Sequence, residues 1–155
     1  MNLLILPIGY LLGSIPSGYL AGKWLAGIDI RDVGSGSTGA TNVLRQIGKK
    51  AALSVFLIDV SKGMVAVLIA KNLMLNEYWQ ISIGLAALAG HIWPLWLSWK
   101  GGKAVATGLG VFLGLSWKVG LASLGVFALI FSAFKIVSIA SIVSSISLPI
   151  LMYIS

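Results

Sequence analysis

Uncharged stretches long enough to cross a bilayer recur along this 155-residue chain, and they constrain its fold more than any single motif. An α-helix rises 1.5 Å per residue, so crossing about 30 Å of hydrocarbon takes roughly 20 apolar residues. With the charges as punctuation, six stretches qualify: residues 1–22, 51–70 (interrupted by Asp59 and Lys62), 78–99, 104–117, 119–134 and 136–155, the fourth and fifth short. Hydrophobic types make up 58% of the chain and charged types 10%, where a soluble domain carries about 25% charged residues. A chain this small cannot hide so much apolar surface from water, which excludes a soluble globular fold. The expected class is all-α, a polytopic transmembrane helix bundle of about six spans with two motif loops. Merging residues 104 to about 131 into one tilted helix would bury Lys118 at mid-membrane, which costs several kcal/mol unless the charge is paired or snorkels. Six spans are therefore preferred.

Residues 1–22 run longer than the apolar region of a signal peptide and no basic residue precedes them, so they are expected to stay as a first span. The chain has no cysteine, hence no disulfide framework, thiolate metal site or cysteine nucleophile. Eleven Lys and Arg against four acids give a formal charge of +7, which points to an anionic partner; the spans decide for membrane and phosphate chemistry over nucleic acid.

Two stretches break the apolar pattern, residues 29–50 and 98–103. Two spans separate them, so both loops fall on one membrane face and can share a site. That face holds Arg31, Arg45, Lys49, Lys50, Lys100 and Lys103, while the opposite turns carry Lys71, Glu77 and Lys118. The positive-inside rule makes the loop face cytoplasmic and the N-terminus external. In the first span, Gly9, Gly13 and Ser17 form one row at a spacing of four and Ser14, Gly18 and Gly22 another; such rows are expected to pack helices closely.

The first loop contains Gly34-Ser35-Gly36-Ser37-Thr38-Gly39-Ala40-Thr41-Asn42, three glycines, four hydroxyls and an amide in nine residues. Its composition suits an anion cradle: glycines turn backbone N–H groups inward, hydroxyls donate, and Arg45 follows to meet a phosphate with two bonds. A flexible polar linker is the alternative reading of the same residues. In the second loop, Lys100-Gly101-Gly102-Lys103 opens into the apolar run from Ala104. A helix start there offers free N–H groups and the positive end of its dipole to an anion, or else the lysines simply anchor span ends at the interface. Neither loop has the spacing of a nucleotide P-loop, because Leu97 and Val43 stand where its first glycine belongs and no Ser or Thr follows the lysine.

His91, the only histidine, sits in Gly90-His91-Ile92-Trp93-Pro94 and either serves as a base or phosphate donor or braces helices. With acids only at positions 29, 32, 59 and 77, no metal cluster is visible. Asp59 and Lys62 lie three apart on one helix face and are expected to pair. Ser138 and Ser141 begin the last span on the loop side, within reach of the site or as interhelical glue. Two phosphate cradles at a lipid boundary suggest an enzyme joining a soluble phosphorylated compound to a lipidic one. An anion transporter would need cations at several depths, and a noncatalytic membrane partner is the third possibility.

Taken in order, Gly13-Ser14-Ile15-Pro16-Ser17-Gly18, Asp29-Ile30-Arg31, Gly34-Ser35-Gly36 with Gly39-Ala40-Thr41-Asn42-Val43-Leu44-Arg45, Asp59-Val60-Ser61-Lys62-Gly63, and Gly90-His91-Ile92-Trp93-Pro94 with Lys100-Gly101-Gly102-Lys103 resemble the bacterial acyl-phosphate:glycerol-3-phosphate acyltransferase (PlsY) family. The resemblance implies a multi-pass inner-membrane enzyme, its active face cytoplasmic. The enzyme would move a fatty acyl group from acyl phosphate to the 1-hydroxyl of glycerol 3-phosphate, giving lysophosphatidic acid for phospholipid synthesis. It implies no cofactor and no coenzyme A or acyl carrier protein as direct donor. It also implies that Ser35, Arg45, Lys103 and His91 are the catalytic set, and that Gly34, Ser35, Gly36, Ser37, Asn42, Arg45, Gly101, Gly102, Lys103 and Ser141 hold substrate phosphate. On that reading His91 braces the site, and the donor's own phosphate takes the hydroxyl proton. The family usually has Asn where Ser37 stands and Gly where Ala104 stands. Its pattern also runs on into a further span and a third motif, so residues 1–155 are expected to be a single acyltransferase domain shortened at the C-terminus.

Overall fold

The computed structural model describes residues 2–154, so Met1 and Ser155, the expected outer limits of the first and last spans, lie outside the described residues. All regular structure among them is helical: α1 (Ile5–Gly13), α2 (Ser17–Ala26), α3 (Ala40–Gln46), α4 (Lys49–Asn72), α5 (Glu77–Ile92), α6 (Val105–Leu115), α7 (Trp117–Phe134) and α8 (Val137–Ile154), with short 3-10 turns at Asn2–Leu4, Ile30–Asp32 and Leu95–Leu97. Four helical stretches are long and apolar enough to cross a membrane, namely Lys49–Asn72, Glu77–Leu97, Trp117–Phe134 and Val137–Ile154. The chain is a multi-pass membrane protein. Leucines and isoleucines such as Leu57, Leu85 and Ile146 face outward, more than half exposed, as a lipid-facing surface requires.

Two expected spans take a different form. The first stretch is broken between Gly13 and Ser17, where Pro16 has no N–H to donate and disfavours a helical Ile15. Its two halves, α1 and α2, are therefore separate helices. The fourth stretch yields α6, 11 residues and about 16 Å long, roughly half the hydrocarbon thickness. Ser116 adopts an extended conformation (φ −146°, ψ 109°) that ends α6 before Trp117 opens α7, so the separation of these two helices is as expected and the merged alternative is not observed. At this turn Lys71 Nζ donates to the Leu115 carbonyl (2.8 Å), closing the end of α6.

Glycine lets the backbones meet. Gly9 and Gly13 of α1 lie on Ile83 and Ala87 of α5, while Gly90 of α5 lies on Tyr10; Gly63 of α4 meets Thr107 of α6, and Gly110 of α6 meets Val60. A Cβ added at Gly13, Gly63, Gly90 or Gly110 would overlap backbone of the neighbouring helix. Without a hydrophobic drive between helices in lipid, such close backbone approach is a principal source of association. The small-residue rows of the first stretch divide differently than expected. Because the helix breaks at residues 14–16, Gly18 and Gly22 receive not a helix but non-helical backbone, at Thr38 of the first loop and at Ile28 just before it. Ser17 hydrogen-bonds instead of merely packing.

Pairings along the helices fix the relative directions: α1 runs parallel to α5, α6 parallel to α4, and α7 folds back on α6 with Gly120 against Leu113. One end of the bundle holds a core of Ile5, Ala66, Ala70, Ile83 and Ala87. At the other end Ile30, Val43, Ala51, Ala52 and Val55 fasten the first loop and α3 to the start of α4. The two motif loops share this second end, where Arg31 Nη1 donates to the Leu97 carbonyl at 2.9 Å.

Gly110 and Gly125 separate packing from helix propensity, since a Cβ at Gly125 meets nothing within 4 Å. Gly110→Ala is expected to destabilise by about 1–3 kcal/mol through overpacking, and Gly125→Ala to be neutral or to stabilise by up to about 1 kcal/mol. Thermal unfolding of the two purified variants in the same detergent checks this.

Candidate functional site

The first loop is built around one side chain. Asn42, on the buried face of α3, donates through Nδ2 to the carbonyls of Ile30 (3.0 Å), Val33 (3.1 Å) and Ser37 (3.0 Å), and its Oδ1 accepts the Ser35 N–H at 3.1 Å. Its amide is thus spent on shaping the loop. Gly34 and Gly36 take left-handed conformations (φ 60° and 68°) that glycine alone reaches without cost, and a Cβ on Gly34 would overlap Asn42. The Ser37 hydroxyl accepts the Gly39 N–H (3.3 Å). The Ser35 side chain is left exposed, and Arg45, one helical turn beyond Asn42, is exposed with no hydrogen-bond partner among the described residues.

Upstream, Asp29 caps the 3-10 turn and grips Arg31 at both carboxylate oxygens (Nε to Oδ1 3.0 Å, Nη2 to Oδ2 2.7 Å). The same guanidinium lies over the Tyr19 ring, 5.2 Å from its centroid, and spends Nη1 on Leu97. That hydrogen bond from Arg31 holds the Asp29 carboxyl down at about 2 from an ordinary 3.8, and Asp29 in turn raises the Arg31 guanidinium. Arg31 therefore stays charged and joins the loops. Sequence reasoning placed it on the loop face but gave it no partner.

The second loop is seated on His91. The His91 carbonyl accepts the Gly102 N–H and the Ile92 carbonyl the Gly101 N–H, both at 3.1 Å. A Cβ on Gly102 would overlap the His91 ring, and one on Gly101 the His91 carbonyl. Ala104 then starts α6 in a left-handed conformation (φ 56°), one that costs a residue with a Cβ about 1 kcal/mol or more. Lys100 and Lys103 stand exposed. Ser141 lies one turn into α8 with its hydroxyl bonded to Val137 O (2.8 Å).

Beneath both loops lies a buried polar cluster. Asp59 Oδ1 accepts from Ser17 Oγ (2.7 Å), forms an ion pair with Lys62 Nζ (2.8 Å) and lies 3.7 Å from His91 Nδ1. Lys62 also donates to the Ile15 carbonyl at the α1–α2 break (3.0 Å), and His91 Nδ1 meets Thr107 Oγ1 of α6 at 3.1 Å. All five side-chain-bearing residues are at most 7% exposed. The expected Asp59–Lys62 pairing is present; Ser17, whose hydroxyl bonds Asp59, and Thr107, whose hydroxyl meets His91, are what sequence reasoning missed. Their only signal was a hydroxyl inside an apolar run.

A family model described as glycerol-3-phosphate acyltransferase matches residues 3–155. A glycerol-3-phosphate acyltransferase from Prochlorococcus marinus (strain NATL2A) is 66% identical over 155 residues, which cover 100% of this chain and 78% of that one. Another from Synechococcus sp. (strain CC9605) is 69% identical over 153 residues, covering 99% of this chain and 75% of the other. Among solved structures, PlsY, an integral membrane glycerol 3-phosphate acyltransferase, matches in its glycerol 3-phosphate form with a TM-score of 0.93 at 42% identity, covering 99% of this chain and 76% of that one. Its lysophosphatidic acid form matches with a TM-score of 0.90 at 41% identity and the same coverage.

The depressed Asp29 carboxyl gives the fold a pH signature. Because its folded-state value lies below the unfolded one, the stabilisation is fully present above 3.8 and is lost as pH falls through about 2. The difference in melting temperature between the parent protein and Asp29→Asn is expected to be constant above pH 5 and to shrink from about pH 4 downward, as a pH series of thermal unfolding reads directly.

Proposed function

Since the chain belongs to the glycerol-3-phosphate acyltransferase family, we propose that it transfers a fatty acyl group from acyl phosphate to the 1-hydroxyl of glycerol 3-phosphate at the cytoplasmic face of the bacterial inner membrane. Acyl transfer to glycerol 3-phosphate is the activity of the family; the donor, the membrane and the face are our reading. The observation that carries it is the union of two glycine-bearing, cationic loops at one end of a lipid-exposed bundle, tied by Arg31 to Leu97. An enzyme that takes a phosphorylated alcohol from water and an acyl chain from lipid needs such a boundary.

In the reaction the hydroxyl oxygen attacks the acyl carbon, the bond from that carbon to the phosphate oxygen breaks, and inorganic phosphate leaves with the hydroxyl proton. Acyl phosphate is an activated mixed anhydride, so alignment of the two reactants and stabilisation of developing negative charge supply the rate without a covalent enzyme intermediate. Arg45 and Lys103, exposed on the two loops, are assigned to the phosphates, and Ser35 with the loop N–H groups to orientation. Gly34, Gly36, Gly101 and Gly102 give the backbone its shape. Asn42 acts through the loop it organises rather than on the anion, and Ser37 likewise through Gly39. Ser141 is assigned a supporting phosphate contact from α8. His91 is assigned a bracing role beneath the second loop, which agrees with the carbonyl it offers to the Gly102 N–H and the ring that lies against Gly102.

Purified protein in lipid nanodiscs, given acyl phosphate and glycerol 3-phosphate, is expected to form lysophosphatidic acid and phosphate in equal amounts by mass spectrometry; absence of ester overturns the reading. Arg45→Ala or Lys103→Ala is expected to raise KM for glycerol 3-phosphate by about tenfold or more, the worth of one charge-assisted hydrogen bond. Cysteines at positions 35 and 103 are expected to react together with an impermeant reagent from the cytoplasmic side, and labelling from opposite sides sinks the shared site.

A further inference from the structure

We propose that Asp59, Lys62 and Thr107 are positioning residues for the second loop: Thr107 bonds the His91 ring, the Asp59–Lys62 pair fixes the wall beside it, and His91 sets where Gly101, Gly102 and hence Lys103 stand. The inference rests on the reading of Lys103 as a phosphate ligand. Three observations carry it.

The cluster draws in the α1–α2 break and three helices besides α2. Lys62 reaches the carbonyl of Ile15, Ser17 opens α2, Asp59 and Lys62 lie on α4, His91 on α5 and Thr107 in the first turn of α6. Along α4, Asp59 is ten residues or about 15 Å from Lys49, well inside the apolar stretch. An ion pair in that setting does little for stability that well-packed apolar residues would not do. What it does provide is direction. The carboxylate's Oδ1 has two fixed donors, Ser17 and Lys62, and the His91 ring beside it is oriented by Thr107.

His91 is also the seat of the loop in both backbone and side chain. Its carbonyl takes the Gly102 N–H, and its ring occupies the space a Cβ at Gly102 would need. A shift of the ring therefore moves the loop.

Finally, the cluster is the floor of the place where the loops meet. A pocket of about 10 Å³, room for about one water, is lined by Ser17, Lys62 and His91 from below, by Thr38 of the first loop, and by Pro94 and Leu97 from the turn that leads into the second. Loosening the floor thus displaces loop groups while leaving the lipid-facing surface alone.

The test separates geometry from stability. Thr107→Val keeps volume and removes the hydroxyl that meets His91, whereas Thr107→Ser keeps it. Thr107→Val is expected to raise KM for glycerol 3-phosphate about fivefold, with KM for acyl phosphate unchanged, and Thr107→Ser to stay within about twofold of the parent. A purely structural cluster would lower the melting temperature and leave both constants alone, which overturns the proposal. A second measurement pairs His91→Ala with Gly102→Ala. If the ring seats the loop, the added methyl costs KM far less once the ring is gone, so the double variant falls short of the product of the singles; independent, multiplying effects overturn the proposal. Lys103→Ala serves as the reference. An unchanged KM there overturns the site reading and this inference with it, whereas a raised KM in Lys103→Ala beside an unchanged one in Thr107→Val overturns the inference alone.

Discussion

A carboxylate and an ammonium buried within a lipid-spanning helix cost several kcal/mol unless they satisfy each other. Here Asp59 and Lys62 do so at 2.8 Å, and their remaining hydrogen-bonding capacity governs the neighbourhood. Ser17 and the Ile15 carbonyl are drawn in from the α1–α2 break, and among the described residues no buried side-chain nitrogen or oxygen lacks a partner. Much else follows from that requirement. The break at Pro16 takes the Ile15 carbonyl out of the α-helical ladder, so that it accepts from the ammonium as well as from the Ser17 N–H, and the short α6 brings its first turn, not its middle, to the same level.

The long helices were legible because charge alone delimits them. Residues 51–70 became Lys49–Asn72 and residues 136–155 became Val137–Ile154, each within a few residues of the expected limits. Hydropathy says nothing about backbone continuity, however. Residues 1–22 are uniformly apolar, yet Pro16 divides them, and residues 104–117 are apolar but yield only 11 residues of helix. In both places the signal was local chemistry, a proline in one and a glycine-rich approach that tolerates a half-span in the other.

The functional end divides along a similar line. Glycines, hydroxyls and cations marked both loops, and their meeting at one end followed from counting spans. Which side chains face inward was not legible. Asn42 and Arg45 sit three residues apart on one short helix, one fully engaged by the loop and the other turned to solvent, and composition treats them alike. Arg31 was an undistinguished cation until its fork to Asp29 and Leu97 became visible. Ala104 shows the reverse. Where the resemblance leads one to expect glycine, a left-handed alanine (φ 56°) precedes α6, so the departure falls on backbone cost.

The placement of Lys62 one turn after Asp59 on the same helix bears on biogenesis. In chain order α4 reaches the membrane ahead of α5 and α6, so neither His91 nor Thr107 is yet beside it. Each unpaired charge would cost about 3 kcal/mol at insertion. An acid that carries its own counter-charge makes the apolar stretch 51–70 of α4 neutral in transit and competent to partition by itself, leaving the later helices to add refinement to a segment already committed to the bilayer.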